Sequence, residues 1–166
     1  MPIRHAPDRD VARSPTETLE FSSWFSVVRT YEECARRYAG MLAHFDLTVS
    51  QFDALVSIEA LGDAAQPRAV AERLLVTRAN VSGLLRRLEK HGLISLSPNH
   101  SDKRSVLCAL TPEGRKLTHR ARAAAARFVR AQLAPFPKAE LETLDHQMRA
   151  MYSHLQTLDP AALADG

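Results

Sequence analysis

The run TRANVSGLLRRLEKH, Thr77–His91, narrows the possible folds more than any other stretch of the chain. Val81, Leu84, Leu85 and Leu88 recur at i, i+3, i+4 and i+7, a single apolar stripe on a helix. Thr77 has the hydroxyl of a good N-cap, and Gly92 suits the residue just past the helix end. Opposite the stripe lie Asn80, Ser82, Gly83, Arg86 and Arg87, with Arg78 on the flank in the first turn. Upstream, PRAVAERL (Pro67–Leu74) predicts a short helix with Pro67 at its first position and Ala69, Val70 and Leu74 turned inward. Leu75 and Val76 leave room only for a tight turn, so the pair is a helix-turn-helix. Downstream, the apolar runs Leu93–Leu96 and Val106–Leu110 flank the polar segment SPNHSDKR, which predicts a β-hairpin with a basic tip. Helix, turn, helix and hairpin make a winged helix. Small hydrogen bonders at the start of the second helix, with arginines behind them, suit the major groove of DNA.

These residues carry a resemblance. LTVSQFDALVSI (Leu47–Ile58), AVAERLLVTRANVSGLLRRLEKHGLI (Ala69–Ile94) and SDKRSVLCALTPEGRKL (Ser101–Leu117) are similar, in order and spacing, to the MarR family of bacterial transcriptional regulators. The last segment holds the D-x-R-S of the family wing (Asp102, Arg104, Ser105), followed by L-T-x-x-G (Leu110, Thr111, Gly114). The fold this implies is mainly α with a small β-hairpin wing: a winged helix-turn-helix at 47–111, dimerisation helices at 17–46 and 112–158, and a disordered arm at 1–16.

Charge is distributed as DNA binding requires. The whole chain carries a net +3, but residues 67–130 hold 14 Lys/Arg against 4 Asp/Glu, a net +10, and the remainder is net −7. Basic charge is therefore concentrated on the segment containing the reading helix.

The flanks read as follows. Residues 1–16 contain Pro2, Pro7 and Pro15 and show no period, as expected of an arm. Thr18–Phe45 predicts a long helix with a broad apolar face (Leu19, Trp24, Val27, Val28, Tyr31, Ala35, Tyr38, Met41, Leu42, Phe45), wider than one small domain usually buries. The resemblance implies that this face meets a partner subunit. Ser50 is the expected N-cap of the next helix, with Asp53 three residues on, Phe52, Leu55, Val56 and Ile58 inward, and Gly62 at its end. Thr111 and Pro112 open a long helix to Leu133, which Pro135 and Pro137 stop. Lys138–Leu158 is the expected last helix.

Base-edge geometry pairs arginine with guanine and asparagine with adenine. Asn80 and Arg86 are therefore read as direct contacts, and Arg78 and Arg87 as shared between bases and phosphates. Thr77 and Ser82 are read as phosphate contacts that fix register, and so is Arg68 at the start of the preceding helix. The resemblance implies that Arg104 enters the minor groove, that Asp102 orients it and that Lys103 meets phosphate. Two such helices in a homodimer would face half-sites ~10 bp apart in a pseudo-palindromic operator. The resemblance also implies a small, often phenolic or carboxylate-bearing effector, in a pocket among the first helix, the Ser50 helix and the start of the long helix. Trp24, Arg29, Arg36, His44 and Phe52 are its expected liners, an arginine pairing the ligand's acid.

Other functions find little support. No apolar run approaches the ~18 residues a membrane span needs, and the first residues lack an apolar signal core, which points to a cytoplasmic protein. Cys34 and Cys108 form no disulfide framework. The peroxide-sensing relatives carry their cysteine at a place near Trp24, so Cys34 is expected to be a buried, inert thiol. Cys108 should point into the core. Seven histidines show no metal-ligand spacing, and no nucleophile elbow, phosphate loop or dinucleotide motif is present. No cofactor and no catalysis are expected. A thiol-based redox regulator and a ligand-blind architectural DNA-binding protein remain as alternatives on the same fold.

Overall fold

The computed structural model describes residues 15–99 and 106–164. In chain order it contains α1 (Pro15–Ala43), α2 (Val49–Leu61), a 3-10 turn (Gly62–Ala64), α3 (Pro67–Leu74), α4 (Arg78–Lys90), β1 (Ile94–Pro98), β2 (Val106–Leu110), α5 (Pro112–Leu133), α6 (Lys138–Leu155) and α7 (Pro160–Ala164). The chain is mostly helical, with one two-stranded antiparallel hairpin.

α2, α3 and α4 close around one core. Phe52, Leu55 and Ile58 of α2 pack with Val70 and Ala71 of α3 and with Val81, Leu84, Leu85 and Leu88 of α4, all buried. The hairpin pairs Ile94 with Leu110 and Pro98 with Val106. Ile94, Cys108 and Leu110 turn into the same core, as strand alternation demands. The Cys108 N–H donates to the Ala65 carbonyl at 2.7 Å, which ties the wing to the loop after α2. Leu42 from α1 and Ala121 from α5 complete the core and attach the reading domain to the two long helices.

Several boundaries differ from the sequence expectation. α1 starts at Pro15, inside the stretch read as an arm; residues 1–14 lie outside the described residues. The N-cap of α2 is Thr48, not Ser50. Thr48 Oγ1 accepts the Gln51 N–H and Gln51 Oε1 accepts the Thr48 N–H, a complete capping box that leaves Asp53 with no part in it. The last predicted helix ends at Leu155 and is followed by α7, which the apolar period did not reveal. Leu133 and Gly62 end their helices as expected.

α6 buries none of its residues. Along α1, Leu19, Phe21, Trp24, Phe25 and Tyr31 are exposed, as are Met148, Met151, Tyr152 and Leu155 on α6.

Candidate nucleic-acid interface

α4 is held by its caps and its stripe. Thr77 Oγ1 accepts the Asn80 N–H at 3.4 Å, and Gly92 adopts φ 68 after the helix, a conformation that favours glycine. With Val81, Leu84, Leu85 and Leu88 buried, geometry turns Asn80, Arg86 and Arg87 to solvent and leaves Ser82 and Gly83 half-buried on the flank. Thr77 is exposed at the tip. Arg86, Arg87 and Lys90 make no ion pair among the described residues, so their charge is free for an external anion. Arg68 differs: it pairs with Glu72 at 2.8 Å, which raises its pKa, and it would have to leave that carboxylate to meet a phosphate. Glu89 Oε1 accepts the Leu96 N–H at 3.3 Å and fixes the wing's first strand against α4. Asp102, Lys103 and Arg104, and the side chain of Arg78, lie outside the described residues.

One residue at the foot of this face was missed by its sequence assignment. Asp53, freed from capping, lines a cavity of about 240 Å³ together with Ser50, Leu74, Val76, Asn80, Leu84 and Arg87. Burial holds its carboxyl above the usual range.

The expected effector liners are not brought together. Trp24 is exposed, stacked edge-on against Phe25 with centroids 4.9 Å apart. Phe52 belongs to the core, and its ring faces Tyr38 at 6.5 Å. Arg36 is bound to Glu33, and His44 is exposed. Arg29 borders a cavity. That cavity, of about 510 Å³, lies between α1 and α5 rather than beside α2, and is lined by Arg29, Glu33, Cys34, Arg37, Phe128 and Gln132, among others. Hydrogen bonds from Arg36 and then Arg37 lower the Glu33 pKa. Cys34 is half-buried, not buried, and its Sγ–H donates to Gln132 Oε1 at 3.2 Å. Cys108 points into the core as expected, and burial, reinforced by Glu89, pushes its thiol up to about 11. A second feature with no sequence signal joins the reading domain to α5. Glu59 of α2, mostly buried, accepts from Arg122 at 2.6 Å and faces His119 at 3.3 Å. Among the described residues no three His, Cys, Asp or Glu gather in a metal-holding group, and no helix is long and apolar enough to cross a membrane.

Comparison with known proteins agrees with this geometry. The model of the MarR family matches residues 47–106, the span from the start of α2 through the reading helix to the wing. A probable transcriptional regulator from Pseudomonas aeruginosa has a similar structure, with a TM-score of 0.63 and 30% identity over 75% of this chain and 96% of that one. HTH-type transcriptional regulators of Bacillus cereus are 32% identical over 98 residues, 59% of this chain. That match spans 64% of those relatives' length. The fold is shared with Bordetella bronchiseptica BpsR, whose DNA binding is regulated by 6-hydroxynicotinic acid (TM-score 0.61, 24% identity, 76% of this chain and 98% of that one).

Proposed function

We propose that this chain, which belongs to the MarR family of DNA-binding transcriptional regulators, is a homodimeric repressor that reads a pseudo-palindromic operator and is released by a small aromatic or phenolic ligand. The observation that carries the DNA reading is the outer face of α4. Arg86, Arg87 and Asn80 stand exposed over a fully buried stripe, with no acidic partner among the described residues. Asn80 and Arg86 read bases; Arg78 and Arg87 divide between bases and phosphates; Thr77, Ser82 and Arg68 hold phosphates. Arg104, oriented by Asp102 and flanked by Lys103, takes the minor groove.

Dimerisation is supported by the apolar side chains that α1 and α6 leave in water. An 18-residue helix that buries no side chain has little to hold it alone, and contiguous apolar surface marks an interaction site. Release by a ligand is supported by the 510 Å³ cavity, whose size suits a small molecule. Arg29 at its rim makes no ion pair among the described residues and would meet a ligand's carboxylate or phenolate. Its walls belong to α1 and α5, the helices on which the reading domain sits, so an occupant would bias how that domain is held. Cys34 on the same cavity favours a second reading, in which oxidation of this half-exposed thiol replaces the ligand as signal.

Fluorescence anisotropy with the DNA upstream of the protein's own gene tests the proposal, at two salt concentrations and against a panel of aromatic acids and phenols. Specific binding, weakened by about 1–3 kcal/mol in Arg104→Ala and reversed by one compound, is the expected result. Reversal by peroxide alone, lost in Cys34→Ser, would move the signal to the thiol. Equally weak binding to every sequence would leave an architectural protein and sink the operator reading. Sedimentation analysis that finds a monomer at micromolar concentration would remove the homodimer.

A further inference from the structure

The turn that joins α3 to α4 carries a side chain the fold does not use. α3 ends with the Val76 N–H bonded to the Ala71 carbonyl at 3.1 Å and the Leu75 N–H to the Glu72 carbonyl at 3.3 Å, a Schellman closure. That closure requires a left-handed residue, and Leu75 supplies it with φ 55 and ψ 39. Four described residues have positive φ: Gly62, Gly92, Asp46 and Leu75. Glycine has no Cβ to strain, and a short polar side chain such as Asp tolerates the region; leucine has neither excuse. Nor does burial offset the strain. Leu75 is 93% exposed, more than any other large apolar side chain among the described residues. A glycine would close the turn at least as well, so whatever favours leucine lies outside the chain.

The position of Leu75 names the partner. Leu75 stands two residues before Thr77, the N-cap of the reading helix, which puts their Cα atoms within about 7 Å of each other. Arg73, two positions before it, is exposed, Val76 beside it lines one cavity with Asn80 and Arg87, and Glu72, the acid nearest in the chain, is held by Arg68. An apolar turn with an exposed arginine beside it, leading straight into the helix that presents Asn80, Arg86 and Arg87 to solvent, fits a duplex rather than an apolar protein surface. We propose that Leu75 is a specificity-determining contact to DNA, its methyl groups meeting the C5-methyl of a thymine at the edge of the groove that α4 occupies. The inference rests on the operator-reading function above and adds to it a residue that selects thymine.

The test removes one methyl at a time from the DNA. Duplexes that bind the full-length protein are selected from a randomised library, and each thymine of the enriched site is replaced singly by deoxyuridine. Wild-type protein should lose about fourfold in affinity at one thymine per half-site, the equivalent of one buried methyl. Leu75→Gly should bind the unmodified site several-fold more weakly and be indifferent to that substitution, while melting at or above the wild-type temperature. Leu75→Ala should also lose the methyl dependence, which separates the side chain from the backbone. Enrichment of a site with the same deoxyuridine profile in wild type and Leu75→Gly would overturn this inference alone. A library that yields no enriched sequence would overturn the operator reading and this inference with it.

Discussion

Adding one methyl at Gly114 tests the joint between the wing and α5. A Cβ built there would stand 1.8 Å from the Leu93 carbonyl oxygen and 2.8 Å from its carbon. The obstacle is backbone, so no side-chain rotation relieves it; the segment must shift by about the deficit from a normal contact, more than 1 Å. That segment is tied three ways. The Thr111 N–H donates to the same Leu93 oxygen at 3.1 Å, Thr111 Oγ1 donates to the Gly92 carbonyl at 2.7 Å, and the same hydroxyl accepts the Gly114 N–H at 3.0 Å as the N-cap of α5. Overpacking costs about 1–3 kcal/mol, and each hydrogen bond loosened about 0.5–1.5 kcal/mol more. Against this stands a gain of at most about 1 kcal/mol in helix propensity from glycine to alanine. The net expectation for Gly114→Ala is a loss of about 2–4 kcal/mol, or roughly 5–15 °C in Tm for a chain of this length. Circular dichroism at 222 nm on heating, with urea unfolding for the slope, measures it. Gly40→Ala is the matched control: nothing lies within 4 Å of its added Cβ, in the last turn of α1, so the same substitution should stabilise by at most about 0.5–1 kcal/mol. A Gly114→Ala protein that melts within about 2 °C of wild type would refute the close packing of α5 on the α4–β1 turn.

Glu59→Gln should cost about 1–2 kcal/mol, because the amide keeps one acceptor for Arg122 but loses the charge that Arg122 and His119 face, both partners being half-exposed or more; Glu72→Gln, whose carboxylate is itself exposed like its partner Arg68, should cost less than about 1 kcal/mol in the same urea titration. Thiol labelling at pH 8 should modify Cys34 within seconds to minutes and Cys108 only at the rate of unfolding, since burial holds Cys108 up at about 11; two equally fast thiols would contradict the placement of β2. Asp53 has its pKa raised by burial, so the fold binds that proton more tightly than the unfolded chain does. Its contribution is present below the ordinary carboxylate range and lost as pH rises through the raised value. The stability of Asp53→Asn relative to wild type should accordingly grow between pH 4 and pH 8, and a constant difference would rule the burial out.

Legibility in the sequence followed the range of the forces involved. The α4 stripe, the Thr77 cap, the Gly92 exit and the Thr111–Pro112 start of α5 are local devices, readable within a few residues, and the structure has them where the pattern put them. The N-cap of α2 was ambiguous for the same reason. Thr48 with Gln51 and Ser50 with Asp53 both have a hydroxyl followed by an acceptor three positions later, and the longer acceptor reaches back while the shorter one does not. The effector liners failed on distance. Trp24 and His44 are twenty residues apart, which along a helix is about 30 Å, so one small pocket could not hold both. The cavity beside Arg29 borrows its other wall from Phe128 and Gln132, about a hundred positions away in sequence, and no periodicity reports such a pairing.

Apolar periodicity states that a face will leave water, not what will cover it. In α4 the cover is the chain itself, and Val81, Leu85 and Leu88 are almost wholly buried. In α1 the pattern is as regular, yet Leu42 is buried at one end while Leu19, Trp24 and Tyr31 stand more than half exposed. The core cluster runs from Leu42 to Ala121, so the stripes before and after it find no cover among the described residues, which is the ground for the proposed dimer. Leu75 belongs to neither case. It lies on no stripe, so no helix docking would cover it, and its backbone is held where leucine is disfavoured. Periodic exposure on α1 and α6 calls for another helix face. Non-periodic exposure with strain, in the turn that precedes the reading helix, calls for a partner that meets the protein at a point, and a groove edge with a thymine methyl is such a partner.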